Sequence, residues 1–158
     1  VEQREEYYGY GMSGVDEKGR VAVPAGLRAT IELNSNARSL VISKHPTAEC
    51  LMCFDRDFRK KLLEFMVSVA GEGESVERRL TRSELARKAG VCDELPYDSS
   101  GRFVLPPFMR QTSKIGSRAL FIGAMDVIEI WNPEIALTAD CVPDTTRELA
   151  DYLLKTGK

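Results

Sequence analysis

Asp16-Glu17-Lys18-Gly19-Arg20-Val21-Ala22-Val23-Pro24, closed four residues later by Arg28, recurs as Asp98-Ser99-Ser100-Gly101-Arg102-Phe103-Val104-Leu105-Pro106, closed by Arg110. Counted from each Asp, the Gly, both Arg and the Pro fall at the same offsets. An internal repeat fixes the architecture before any single residue is interpreted. Asp in the first place and Gly in the fourth suit a type I turn, and Gly reaches the left-handed backbone that a hairpin bulge requires. Val21 and Val23 then alternate as in a half-buried strand, until Pro24 stops it and can open a helix at its first position.

The pattern extends outward from both copies. Tyr7-Tyr8-Gly9-Tyr10 reads as a strand leading into the first turn. After Pro24, Leu27 and Ile31 lie one helical turn apart, and Leu40-Val41-Ile42 and Cys50 to Phe54 read as strands. The second copy runs on through Pro106-Pro107, a short helix to Arg110, and the strands Ala119-Leu120-Phe121-Ile122 and Val127-Ile128-Glu129-Ile130-Trp131. Each half is strand, turn, strand, short helix, strand, strand. A unit of roughly 45 residues buries too little apolar surface alone, so two units packed together are expected, as a pseudo-twofold body of α+β class.

Helices are expected between and after the halves. Phe58, Leu62, Phe65, Met66 and Val69 mark the apolar face of an amphipathic helix over 55–69. A second helix is expected over 76–89, with Arg78, Arg79, Arg82, Arg87 and Lys88 against Glu77 and Glu84. The tail after Pro143 reads as a third, whose narrow stripe of Leu149 and Leu153 docks weakly or frays.

Composition limits the classes of function. The hydrophobic fraction is 43% and the net charge −2, which argues mildly against nucleic-acid binding by total charge. Clustered basic groups rather than net charge make a binding field, however. No apolar run approaches the ~20 residues of a membrane span, and the acidic start is unlike a signal peptide; a soluble cytoplasmic protein is expected. Cys50 and Cys53 form a lone CxxC within a strand, where residues three apart face opposite sides, so no metal site is expected. His45 is the one histidine and reads as structural. No nucleophile, zinc or phosphate-loop signature is present, so neither an enzyme nor a cofactor is expected.

What folding leaves unexplained is the arginines. Asp16 and Asp98 serve as turn stabilisers through bonds to the backbone two residues on, and Gly19 and Gly101 supply the turn. Arg20 and Arg102 follow those glycines on exposed hairpins, and a guanidinium fork suits phosphate oxygens and the O6/N7 edge of guanine. Lys18 adds charge to the first turn, while the second offers only Ser99 and Ser100. Arg28 and Arg110 either reach the same ligand face or pair within the fold or between subunits, with the structural role favoured.

The doubled Asp-x-x-Gly-Arg turn, each copy followed by strand, Pro and a short helix ending in Arg, resembles the MraZ family of bacterial transcriptional regulators, built from two AbrB-like (SpoVT/AbrB) domains. Arg78-Arg79-Leu80, Leu120-Phe121-Ile122-Gly123 and Ile128-Glu129-Ile130-Trp131 extend the likeness. The resemblance implies two tandem AbrB-like β-rich units forming a pseudo-twofold barrel, joined and covered by helices. The units would be a first DNA-binding domain over 10–57, a helical linker over 58–91, a second domain over 92–135 and a tail over 136–158. It also implies a repressor of the division and cell-wall gene cluster, a nucleoid-associated ring of identical subunits. This ring would bind double-stranded DNA at direct repeats upstream of its own operon through Asp16 with Arg20 and Asp98 with Arg102. The alternative is an AbrB-like antitoxin that neutralises a protein partner.

Overall fold

Each copy of the repeat folds in the expected order, but its first two strands pair only with strands of the other copy. The computed structural model describes residues 3–71, 81–140 and 144–157. The first half gives β1 (Tyr10–Gly14), β2 (Arg20–Ala22), α1 (Ala25–Ser35), β3 (Ser39–Lys44) and β4 (Leu51–Phe54). A 3-10 segment (Arg56–Lys61), α2 (Leu62–Gly71) and α3 (Arg82–Gly90) follow. The second half gives β5 (Cys92–Pro96), β6 (Arg102–Val104), α4 (Pro107–Ser113), β7 (Arg118–Ala124) and β8 (Val127–Trp131), and α5 (Pro133–Ala136) and α6 (Asp144–Thr156) complete the chain.

Six strands form one antiparallel sheet in the order β1-β7-β8-β4-β3-β5. Exchanging equivalent strands of the two halves returns the same order reversed, the signature of a pseudo-twofold arrangement. The opening strand of each half lies beside the third strand of the other: Tyr10 pairs with Ile122, and Pro96 with Ser39. A closed barrel does not form among the described residues. β2 and β6 direct their hydrogen bonds to each other as a separate two-stranded ribbon, and β1 and β5 remain as sheet edges.

Burial follows the apolar patterning. All four residues of β4 are buried, as its central place between β3 and β8 requires. Leu27 and Ile31 of α1 are buried with Val21, Val23, Phe103, Leu105 and Met109 in the main core, each large side chain contributing about 1.5–3 kcal/mol. Pro24 and Pro106 are the cap residues of α1 and α4 rather than their first helical residues; only Pro107 occupies that position. Both helices end on a left-handed non-glycine, Asn36 and Lys114.

The linker starts tighter than the expected 55–69 helix. Asp55 caps a 3-10 segment through the Phe58 amide before α2 begins. α3 opens with a capping box in which Thr81 and Glu84 satisfy each other's backbone amides. Arg82 on α3 pairs with Glu64 on α2 at 2.9 Å. Arg78, Arg79, Leu80 and Cys141 lie outside the described residues.

The tail is better docked than its stripe predicts. Ala150 and Leu153 are buried with Trp131, Leu120, Cys50 and Ala136 in a second cluster. The sequence pattern missed this because half of that cluster comes from β7, β8 and α5. Cys53 belongs instead to the main core, and burial pushes its thiol well up, so the two cysteines of the CxxC face different clusters.

Candidate functional site

The ribbon carries the repeat. Its register sets Arg20 opposite Val104, Val21 opposite Phe103 and Ala22 opposite Arg102. Opposed residues of an antiparallel pair share a face, so Val21 and Phe103 point into the core while Arg20, Ala22, Arg102 and Val104 point out. Burial agrees: Val21 and Phe103 are buried, and Arg20 and Arg102 are exposed. The two arginines, 82 residues apart in sequence, are diagonal neighbours on one outward face, a separation of roughly 7–8 Å at the backbone.

Each turn organises its arginine in the same way. Asp16 accepts the amides of Lys18 at 3.0 Å and Arg20 at 2.8 Å through Oδ1. Its Oδ2 takes the Arg20 Nε–H at 2.6 Å. Asp98 accepts the amides of Ser100 at 2.9 Å and Arg102 at 3.0 Å, and its Oδ2 lies 3.8 Å from Arg102 Nε. The Arg20 amide and then its guanidinium hold the Asp16 carboxyl below the ordinary carboxylate range. Asp98 is lowered chiefly by the Arg102 amide, with help from that of Ser100. Engaging Nε leaves the two terminal nitrogens of Arg20 as the outward edge of the fork, the edge that pairs bidentately with a planar acceptor.

Gly19 and Gly101 have φ of 85° and 81°, which a residue with a Cβ reaches only at a cost. The Gly19 carbonyl accepts the Leu105 amide at 2.8 Å and the Gly101 carbonyl accepts that of Val23 at 3.0 Å. The two turns are thereby stitched to each other's strands.

Arg28 and Arg110 are placed crosswise. Arg110 donates to the carbonyls of Asp16 at 3.0 Å, Ile115 at 3.2 Å and Gly116 at 2.9 Å, so the second copy's helix braces the first copy's turn. Arg28 lies over Gly101, where a Cβ would meet its guanidinium. Its charge helps to lower Asp98. Lys18 is exposed at the tip of the first turn. The nine residues singled out in the sequence, Asp16, Lys18, Gly19, Arg20, Arg28, Asp98, Gly101, Arg102 and Arg110, are thus gathered around one ribbon. With Glu17, the charged members are five cations against three acids, a local positive balance in a net acidic chain.

Two neighbours gave no functional signal in the sequence. Val104 is 53% exposed beside Arg20; its alternation with buried Phe103 and Leu105 places it outward. Arg118 pairs with Gly14 at the base of the first turn, a position set only by the exchange of strands. His45 is structural: its Nδ1 accepts the amides of Thr47 and Ala48 at 3.1 and 3.0 Å, and burial lowers its pKa. Among the described residues no group of three or more His, Cys, Asp or Glu is placed to hold a metal ion, and no helix is long and apolar enough to cross a membrane.

The duplicated, braced arginine turn lies on an exposed ribbon rather than in an enclosed pocket. Three relatives of this chain share one description. It is 32% identical over 122 residues to the transcriptional regulator MraZ of Rhodospirillum rubrum, covering 75% of this chain and 74% of that one. It is 30% identical over 126 residues to the transcriptional regulator MraZ of Shewanella amazonensis, covering 80% and 79%. The match to the transcriptional regulator MraZ of Alcanivorax borkumensis is 29% over 151 residues, covering 91% and 99%. No family model matches the chain. The chain belongs to the MraZ family of transcriptional regulators.

Proposed function

We propose that this protein is a sequence-specific DNA-binding repressor of the division and cell-wall gene cluster, acting at direct repeats upstream of its own operon as a ring of identical subunits. Residues 10–57 and 92–135 are its two AbrB-like DNA-binding domains, 58–91 the helical linker and 136–158 the tail. It works in the cytoplasm on the nucleoid and has no catalytic role. The observation that carries the reading is the shared outward face of Arg20 and Arg102 on the β2–β6 ribbon. The choice of operon, the direct repeats and the ring follow from the family resemblance.

The physical argument runs from the ribbon to the duplex. A two-stranded ribbon fits the major groove, where arginine pairs bidentately with guanine O6 and N7. Asp16 and Asp98 aim the guanidinium groups, Gly19 and Gly101 permit the turn, and Lys18 meets backbone phosphate. Arg28 and Arg110 hold the turns in register and add positive field. Phosphate contacts position the ribbon and base contacts select the sequence. A ring that presents many modest ribbons on one side binds through avidity, and identical orientation around a ring matches direct repeats.

Nuclease footprinting on the DNA upstream of the protein's own gene tests the proposal. Protection confined to regularly spaced direct repeats is expected. Uniform, sequence-independent protection, or none at protein concentrations that saturate assembly, contradicts it.

A further inference from the structure

Six of the eight large apolar side chains left exposed among the described residues fall in two patches, at opposite ends of the six-stranded sheet. The first patch lies at the β1 edge. Tyr8, Tyr10 and Tyr152 are 62%, 60% and 61% exposed and, with Met125, line a groove of about 570 Å³ between the start of β1, the β7–β8 turn and α6. Glu148 lines this groove, Glu6 accepts the Tyr8 hydroxyl and Asp126 follows Met125; all three carboxylates are exposed and have no ion-pair partner among the described residues. The second patch lies at the β5 edge. Val91 and Phe108, 51% and 55% exposed, floor a hollow of about 230 Å³ rimmed by Lys44, Arg87 and Lys88. None of these three cations has an ion-pair partner among the described residues either.

We propose that the aromatic, acidic patch of one copy docks on the apolar, basic patch of a second copy, head to tail. The reading rests on the self-association proposed above and names its contact surfaces. Both patches are apolar at the centre and charged at the rim, with opposite signs, which is the complementarity that steers association and fixes orientation. They are corresponding corners of the two halves. The 82-residue offset of the repeat carries Tyr8 and Tyr10 onto Gly90 and Cys92, on either side of Val91. The duplicated surface has therefore diverged in charge: one copy is a socket for the other. Five strand spacings separate the corners, about 24 Å, so one molecule engages two neighbours at once. Such a heterologous contact leaves an unfilled patch of each kind on every pair, and growth stops only when the assembly closes on itself.

The test is mass measurement by light scattering on three preparations of the full chain. The first is the unaltered protein, the second Arg87→Glu with Lys88→Glu, and the third Tyr10→Ala with Tyr152→Ala. All these substitutions are at exposed positions, and far-UV circular dichroism verifies the fold. Lys44→Glu serves if the double basic variant fails to fold. The unaltered chain is expected to assemble beyond a dimer. Each variant alone is expected to be monomeric, and an equimolar mixture of the two to give a one-to-one dimer, because each retains the patch the other has lost. An assembly that survives both sets of substitutions, or a mixture that stays monomeric, overturns this assignment and leaves self-association elsewhere. A monomeric unaltered chain overturns the ring reading itself.

Discussion

Arg110 of the second repeat donates from Nη1 to the main-chain carbonyl of Asp16 in the first, 3.0 Å away and 94 positions back along the chain. The contact ties the two copies of the turn into one unit. Arg110 also satisfies the carbonyls of Ile115 and Gly116, whereas the guanidinium of its counterpart Arg28, whose amide donates to the Pro24 carbonyl, instead covers Gly101. The repeated residue has one sequence position and two different mechanical roles.

That asymmetry predicts unequal costs. Arg110→Ala leaves three carbonyls short of a charged donor and should destabilise the fold by about 1–3 kcal/mol. Arg28→Ala should cost roughly 0.5–1 kcal/mol, mainly from lost packing. Arg110→Lys should not rescue the first turn, because one ammonium cannot span three carbonyls held by a fork. Chemical denaturation midpoints of the three variants check the order, and equal losses at Arg28 and Arg110 contradict it.

The turn glycines should resist substitution. At φ of 85° and 81°, alanine at Gly19 or Gly101 carries a left-handed backbone costing about 1–2 kcal/mol. The added Cβ would stand 3.0 Å from the Leu105 carbonyl in the first case and 3.0 Å from the Val23 carbonyl in the second. Both replacements should lower Tm by several degrees, and Gly101→Ala should also displace Arg28. A Tm unchanged in both variants contradicts the turn geometry.

Acid should unfold the protein through its carboxylates. Asp55 is fully buried and accepts hydrogen bonds from Arg4 and Tyr7, each at 2.6 Å. Burial pushes its carboxyl up, but the bonds from Arg4 and Tyr7 together with the Arg4 charge outweigh this and hold it below the ordinary value of 3.8. Asp16 and Asp98 are lowered as well. A lowered folded pKa means that the unfolded chain takes up the proton first. The associated stability is present in full above the ordinary value and is lost as pH falls through the lowered ones. Urea midpoints should hold from pH 7 to about 5 and fall below about 4. Asp55→Asn should cost about 3 kcal/mol at neutral pH, because it leaves Arg4 without its charge partner in a largely buried place. It should also flatten the acid fall.

The repeat made most of the site legible in advance. Matched offsets placed Asp16, Gly19 and Arg20 beside a turn and predicted the same for Asp98, Gly101 and Arg102. The alternation of Val21 with Ala22, and of Phe103 with Val104, separated a buried from an exposed face. Strand pairing was not legible, because hydrophobic periodicity says which face a strand buries and nothing about its neighbour. The β2–β6 ribbon, the bond from Arg110 to Asp16 and the nearness of Arg20 to Arg102 all come from that pairing. α6 was underestimated for the same reason: its two buried residues, Ala150 and Leu153, are held by Leu120 and Trp131 from distant strands. Asp55, the first residue of the expected 55–69 helix, is a buried cap, and nothing near it in sequence announces Arg4 and Tyr7.

The central claim is that Arg20 and Arg102 form one DNA-reading face. Its most direct test is a gel-shift titration, across a range of salt concentrations, of the DNA upstream of the protein's own gene with the unaltered chain, Arg20→Ala, Arg102→Ala and the double variant. Each arginine lost should weaken specific binding by about 1–3 kcal/mol, roughly 5- to 150-fold. Wherever it met phosphate, the loss should also reduce the salt slope by about one. Circular dichroism and assembled mass should stay unchanged, since both side chains are exposed. Affinity and salt slope that match the unaltered chain in both single variants and in the double variant contradict the account.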